Sequence, residues 1–235
     1  MSHRAETVIG MSVEAKVDTL LRVVADCGED RVPASEPQLQ DRLHDPAVSA
    51  TARAAADAGL LQSTHRGWTL TSIGRERATS AVRRHRTIEA FLAQVLGVAW
   101  ADVHAEACRW EQVAGDVVVA KMAQRLRDRV RSPYGGTIPP SSPTSSPVAT
   151  ERSLALTEAL QSRPRAVRLV RIGEVLQDDP EQLPRLAAVG CFPGVEVLAT
   201  PDAGGARLEA PGGPIHLSPR HAAAVFVEPV ASPDW

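Results

Sequence analysis

Residues 132–151, SPYGGTIPPSSPTSSPVATE, cut the chain into two unlike halves. Proline lacks a backbone donor, and glycine and serine favour turns, so this stretch predicts no regular element. It reads as a linker, residues 141–164, between two parts of different texture. A length of 235 residues accommodates two or three small domains.

The N-terminal half has helical periodicity. In EAKVDTLLRVVA, Val17, Leu20, Leu21 and Val24 share one helical face, and Gly28 is the expected stop. A short helix, EPQLQDRL, follows. DPAVSATARAAADAGL begins with Asp45 as the expected N-cap and Pro46 in the first turn, and ends at Gly59. LLQSTHRGWTLT then reads as a hairpin turning at His65-Arg66-Gly67. SIGRERATSAVRRHRTIEAFLAQVLG is a long helical pattern with an expected break near Gly74. Helices followed by a hairpin and a further helix give the order of a winged helix-turn-helix over residues 1–80. Residues 81–140 add ADVHAEACRWEQVAG and DVVVAKMAQRLRDRV, a helical domain. Beyond the linker, residues 165–235 hold short β-rich runs (AVRLVRIG, VEVLAT, ARLEA, IHLS, AAVFVEPV), some separated by PDAGG and PGGP, the pattern of a small barrel. The expected class is mainly α with a small β part.

Composition narrows the function classes. Hydrophobic residues are 43% of the chain, with only four Trp, three Phe and one Tyr, so Ala, Val and Leu must fill the interior. The net charge of −2 shows no global basic excess of the kind that advertises nucleic acid. Three distant cysteines, Cys27, Cys108 and Cys191, give no disulfide framework and favour a reducing compartment. No apolar run approaches the roughly 18 residues of a membrane span. MSHRAETVIG has no apolar signal core, so the expectation is a cytoplasmic protein without a membrane partner.

VHAEACRWEQV (residues 103–113) carries the chemistry. His104, Cys108 and Glu111 fall at i, i+4 and i+7 on one helical face, with Gln112 beside it; His85 and Glu89 are a second i, i+4 pair. Imidazole, thiolate and carboxylate together suit divalent transition ions better than calcium or magnesium. Spacing alone leaves open a helix whose His and Cys only pack or solvate.

VHAEACRWE followed by RSPYGGTIP resembles the iron-dependent regulator family, typified by the diphtheria toxin repressor, from about residue 14 to 140 and more loosely to about 230. The resemblance implies a winged helix-turn-helix, a helical dimerisation and metal-binding domain, and an SH3-like C-terminal barrel. It also implies two metal sites per subunit. One resembles His85, Glu89 and His104, with Asp179 and Gln182 as the ligands from the barrel; Asp179 stands where the family usually has Glu. The other resembles Cys108 and Glu111, but Gln112 replaces a His and Ala15 replaces a Met, leaving Met11, Glu14 or Asp18 as substitutes. A family anion pocket resembles Arg86 and Ser132, with Gly136 in place of an Asn. The implied ion is Fe²⁺ or Mn²⁺, with Co²⁺, Ni²⁺ or Zn²⁺ binding in vitro.

The implied partners are duplex DNA and a second copy of the chain. Ser49, Ala50, Thr51, Arg53 and, at the wing tip, Arg66 are the candidate DNA contacts. Ala47 and Ala50 stand where the family has groove-facing Thr and Gln, and basic and acidic side chains balance over residues 1–90, so weakened contacts are expected. The leading expectation is a metal-dependent, homodimeric transcriptional regulator. Two alternatives remain open: a scaffold reused as a metal- or haem-dependent biosynthetic enzyme, and a metal-independent, ligand-sensing DNA-binding protein.

Overall fold

The structure, a computed structural model, describes residues 12–126, 131–141, 153–161 and 163–230. Helix α1 (Val13–Glu29) is capped by the Ser12 side chain, which accepts from the Ala15 amide. It buries Leu20 and Leu21 completely, and each contributes roughly 1.5–3 kcal/mol. Gly28 lies inside the last turn and is not the stop; the chain leaves the helix through Arg31 at φ 58°. Helix α2 (Glu36–Leu43) matches the predicted segment. Helix α3 (Val48–Asp57) begins later than predicted. Asp45 does not cap it but closes a turn, accepting from the Ala47 amide at 2.8 Å. Strands β1 (Leu61–Thr64) and β2 (Gly67–Leu70) form the wing, turning through His65 and Arg66.

Helix α4 (Ser72–Gln94) is capped by Thr71 and is continuous; Gly74 does not break it. A Cβ at Gly74 would collide with the Leu60 carbonyl oxygen. The glycine is there for close approach between α4 and the end of the recognition segment. With 23 residues, α4 is the longest helix among the described residues. It contributes Ala78 to the core of the winged domain, and Ile88 and Leu92 to a second core. Helices α5 (Trp100–Val113) and α6 (Asp116–Leu126) pack on it.

The Pro/Ser/Gly-rich stretch, expected to be without structure, is partly built. Residues 131–141 make a turn closed by an Arg131–Thr137 bridge, and Tyr134 at its tip is fully buried. The Tyr134 hydroxyl accepts from the His104 amide at 3.0 Å and donates to the Trp100 carbonyl at 2.7 Å. The rest of the predicted linker lies partly outside the described residues. Within it, β3 (Leu154–Ala155) and α7 (Leu156–Leu160) belong to the C-terminal domain. That domain continues with β4 (Arg165–Ile172), α8 (Glu174–Gln177), α9 (Gln182–Ala188), β5 (Glu196–Asp202), β6 (Gly205–Ala210), β7 (Gly213–Leu217), α10 (Pro219–Ala223) and β8 (Val225–Pro229). Among the described residues, six antiparallel strands run in the order β3-β8-β4-β5-β6-β7, an SH3-like arrangement. The second core spans this domain and the α4–α5 pair. Between the two cores lies a seam of buried charge: Arg22, Asp26, Arg42, His85, Arg86, Glu89, His104 and Glu174.

Candidate metal centre

His85 and Glu89 are one turn apart on α4, and His104 faces them from α5. The Glu89 carboxylate sits between the rings, 3.1 Å from His85 Nε2 and 3.1 Å from His104 Nδ1, and the two ring nitrogens are 3.3 Å apart. Glu174, at the start of α8, brings Oε2 to 3.8 Å from His104 Nε2. Ligand atoms of His85, Glu89, His104 and Glu174 lie within 4.8 Å of one another, and all four residues are buried. Two nitrogens and two carboxylate oxygens in a closed pocket are a donor set for a divalent transition ion, so these residues fit one.

The acid from the barrel is not the one expected. Asp179 turns away: Oδ1 accepts from the Glu181 and Gln182 amides, and Oδ2 pairs with His221 at 3.2 Å. Gln182 opens α9, and its side-chain carbonyl is buried without a hydrogen-bond partner, bonded to neither imidazole. Glu174-x-x-Gln177 repeats the spacing of Asp179-x-x-Gln182 five residues earlier. It is Glu174 that enters the cluster, with Asp178 bonded to His104 Nε2 at 3.1 Å. The usable signal was position: Glu174 stands two residues after the end of β4, whose last residue, Ile172, is buried and donates its amide to the Tyr134 carbonyl.

The electrostatics of the cluster call for positive charge. Burial and Arg22 oppose a charge on His85, but Glu111 and Glu89 outweigh them and raise its pKa to about 10. His104 is likewise raised, burial being overcome by Cys108, Glu174 and Asp178. Burial works against Glu111 too, yet Arg22 and His85 hold it at about 2. The carboxylates around both imidazoles thus favour their charged form against the cost of burial.

The other expected ligand set does not assemble. Cys108 is half-buried with its sulfur 3.6 Å from His104 Nε2, and it groups with His85 and His104 of the first cluster. Glu111 is committed, accepting from His85 Nδ1 at 2.7 Å and from Gln112 Nε2 at 3.3 Å. Gln112 also donates to Thr19. Ala15 has no donor, and Glu14 and Asp18 pair with Arg77. Met11 lies outside the described residues. Cys108, Glu111 and Gln112 therefore do not fit an ion of their own. Sequence reasoning missed what stands opposite them, Arg22 and Arg42 from the winged domain. The signal was an arginine and an aspartate at i, i+4 inside the apolar run LLRVVADC.

The expected anion pocket is filled from within. Arg86 donates to Glu29, Asp26 and the Thr137 carbonyl, and the Ser132 hydroxyl accepts from the Tyr134 amide. A Cβ at Gly136 would come within 3.0 Å of Arg86 Nε, so the glycine admits the guanidinium. On the DNA side, Ala50, Arg53 and Arg66 are exposed. Ser49 is tied to Glu36 at 2.9 Å, and Thr51 lines the cavity between α1 and α5.

Residues 71–140 match the family described as "Iron dependent repressor, metal binding and dimerisation domain". The chain is 34% identical over 201 residues to the iron-dependent repressor IdeR of Mycobacterium leprae, covering 82% of this chain and 87% of that one. It is 33% identical over 182 residues to the diphtheria toxin repressor of Corynebacterium diphtheriae, covering 75% and 80%. A solved structure of a manganese-dependent transcriptional repressor in complex with manganese superposes with a TM-score of 0.75 at 27% identity, over 91% of this chain and all of the other. With these relatives matched across the winged, helical and barrel domains, the chain belongs to the iron-dependent repressor family.

Proposed function

We propose that the protein is a homodimeric transcriptional repressor whose hold on DNA depends on one divalent transition ion, iron or manganese, gripped by His85, Glu89, His104 and Glu174. One observation carries the reading: those four ligand atoms converge within 4.8 Å at the junction of the helical and barrel domains, one helix away from the winged domain. When bound, the ion supplies two positive charges to a seam rich in carboxylates. From α4 come His85 and Glu89, from α5 His104, and from the barrel Glu174, which Arg22 and Arg42 already hold at the seam. The long helix α4 runs from this cluster into the core beneath the wing, so ordering its C-terminal half orders the platform on which α3 is carried. In a dimer, two such platforms present recognition helices about one DNA turn apart.

The DNA contacts are sparse. The exposed face of α3 offers Ala50, Arg53, Ala54 and Asp57, of which Arg53 alone can donate two hydrogen bonds to a guanine edge. Affinity then leans on Arg66 at the wing tip and on phosphate contacts, and so falls with salt. For the dimer, Val95 and Leu96 are about half exposed at the corner between α4 and α5, within the segment matched to the family's dimerisation domain, and give the second copy an apolar surface to cover.

The reading is tested by shifting a fragment of the gene's own upstream region with purified protein, with and without Mn²⁺ or Fe²⁺. The expected result is a metal-dependent shift in wild type that His104→Ala abolishes. Equal binding in chelator, in metal and in the variant would remove the ion from the account.

A further inference from the structure

We infer that Arg22 is a built-in cation in the place where a second ion would otherwise join the winged domain to α5, so that each chain takes up one transition ion and the joint itself is independent of metal. The inference rests on the proposed function only for that one ion.

Arg22 lies midway along α1, its side chain 5% exposed, in a run that is otherwise apolar. Its Nη1 reaches Asp26 at 3.1 Å and Glu174 at 3.3 Å, and its Nε stands 3.6 Å from Glu111. One guanidinium thus faces carboxylates from α1, α5 and α8. Arg42 repeats the arrangement from α2, with Nη2 3.4 Å from Glu174, Nε 3.6 Å from Asp178 and Nη1 3.3 Å from the Cys27 sulfur. The two arginines tie both leading helices of the winged domain to the barrel. Across from Arg22, the α5 donors are already spent: both Glu111 oxygens have partners, and Gln112 turns its amide nitrogen to Glu111. Among the described residues, Glu111 belongs to no group of side chains placed to hold an ion.

A buried carboxylate without a counter-charge is costly. An ion answers that need only while it is bound. A guanidinium answers it permanently, because it stays protonated throughout the accessible pH range. Arg22 is therefore a positioning residue: it holds α1 against α5 whether or not metal is present. Glu174 is shared between the arginines and the imidazole cluster, so uptake of the single ion redistributes a carboxylate already in place and does not recruit a loose domain.

The full-length protein is equilibrated with chelator or with excess Co²⁺, and both samples are followed by amide hydrogen exchange and by elemental analysis after gel filtration. The expected result is one cobalt per chain in wild type and none in His104→Ala. Protection of α1 and α5 should not change on chelation, but should fall by about tenfold in Arg22→Gln relative to α3. Loss of α1 protection on chelation of the wild type would overturn the inference. So would a second cobalt that Glu111→Gln removes. If Arg22→Gln does not fold, Arg22→Lys keeps the cation without the fork and serves in its place: α1 and α5 should stay protected in chelator, and protection that returns only with Co²⁺ would overturn the inference. Wild type that binds no cobalt yet keeps chelator-independent protection defeats the proposed function and supports the role of Arg22.

Discussion

At the scale of single residues, the site is decided by which acid meets the imidazoles. Glu174 lies in the cluster, while Asp179 accepts from the Glu181 and Gln182 amides and pairs with His221, so their neutral isosteres separate the two roles. Glu174→Gln should weaken Co²⁺ or Mn²⁺ binding by at least about tenfold, whereas Asp179→Asn should leave it unchanged, as calorimetric titration would read. His85 gives a pH signature in metal-free protein. Its pKa is raised to about 10 in the fold, against about 6.5 in an unfolded chain. The folded state then binds the extra proton, and this contribution is complete below about pH 6.5 and is lost as pH rises toward 10. The melting temperature in chelator should accordingly fall between pH 7 and pH 10, and fall less in His85→Ala. His85, Glu89 and His104 were legible from i, i+4 spacing and the family resemblance. The barrel's acid in the cluster was not, because Glu-x-x-Gln and Asp-x-x-Gln present the same pattern twice within nine residues. Only the end of strand β4 tells them apart. Arg22 was hidden for a different reason: an arginine in an apolar run looks like a surface residue until Glu111 and Glu174 are brought to it from elsewhere in the fold.

At the scale of elements, periodicity locates the helices and the wing well, and it misjudges their punctuation. Intrinsic preference makes Gly28 a stop and Gly74 a break, yet each sits inside a helix. Tertiary packing overrides propensity there, as the Leu60 carbonyl against Gly74 makes plain. Gly74→Ala should therefore destabilise the protein by about 1–3 kcal/mol, although alanine is the better helix former, and denaturant unfolding would show it. As the control, a Cβ at Gly28 meets nothing within 4 Å, so Gly28→Ala should be neutral or mildly stabilising. The Pro/Ser-rich stretch errs in the opposite direction. Its composition forbids a helix or strand but not a packed turn, and Tyr134 anchors that turn on His104 and Trp100. For α3 the sequence is informative about what is missing. With Ala50 and Ala54 on the exposed face, Arg53→Ala removes the one side chain there able to read a guanine edge bidentately. In a binding titration it should cost about 1–3 kcal/mol of specific DNA affinity while leaving the salt dependence nearly unchanged.

At the scale of the whole molecule, two apolar cores meet across a seam of charge, and the seam decides how the parts move together. Arg22 and Arg42 reach from the winged domain, Glu111 stands on α5, and Glu174 and Asp178 come from the barrel. Asp30 adds a peripheral tie, bonding Arg171 of β4 at 2.6 Å, and the same guanidinium lies 3.8 Å over the Phe226 ring. Such a joint is stiff where a hydrophobic hinge would slide, because parting it strands buried charges. The subunit should consequently respond to metal as a unit, and the remaining freedom lies between subunits. Val95 and Leu96 stand at the α4–α5 corner, outside both cores. Placing carboxylates there burdens a subunit interface without touching the interior. Val95→Glu with Leu96→Glu should convert the dimer to monomer in sedimentation velocity, with the metal stoichiometry per chain unchanged. Since one recognition helix reaches only half an operator, the same variant should also lose metal-dependent DNA binding. Retention of dimer and operator binding by the doubly charged variant would place the subunit contact elsewhere on the α4–α6 layer.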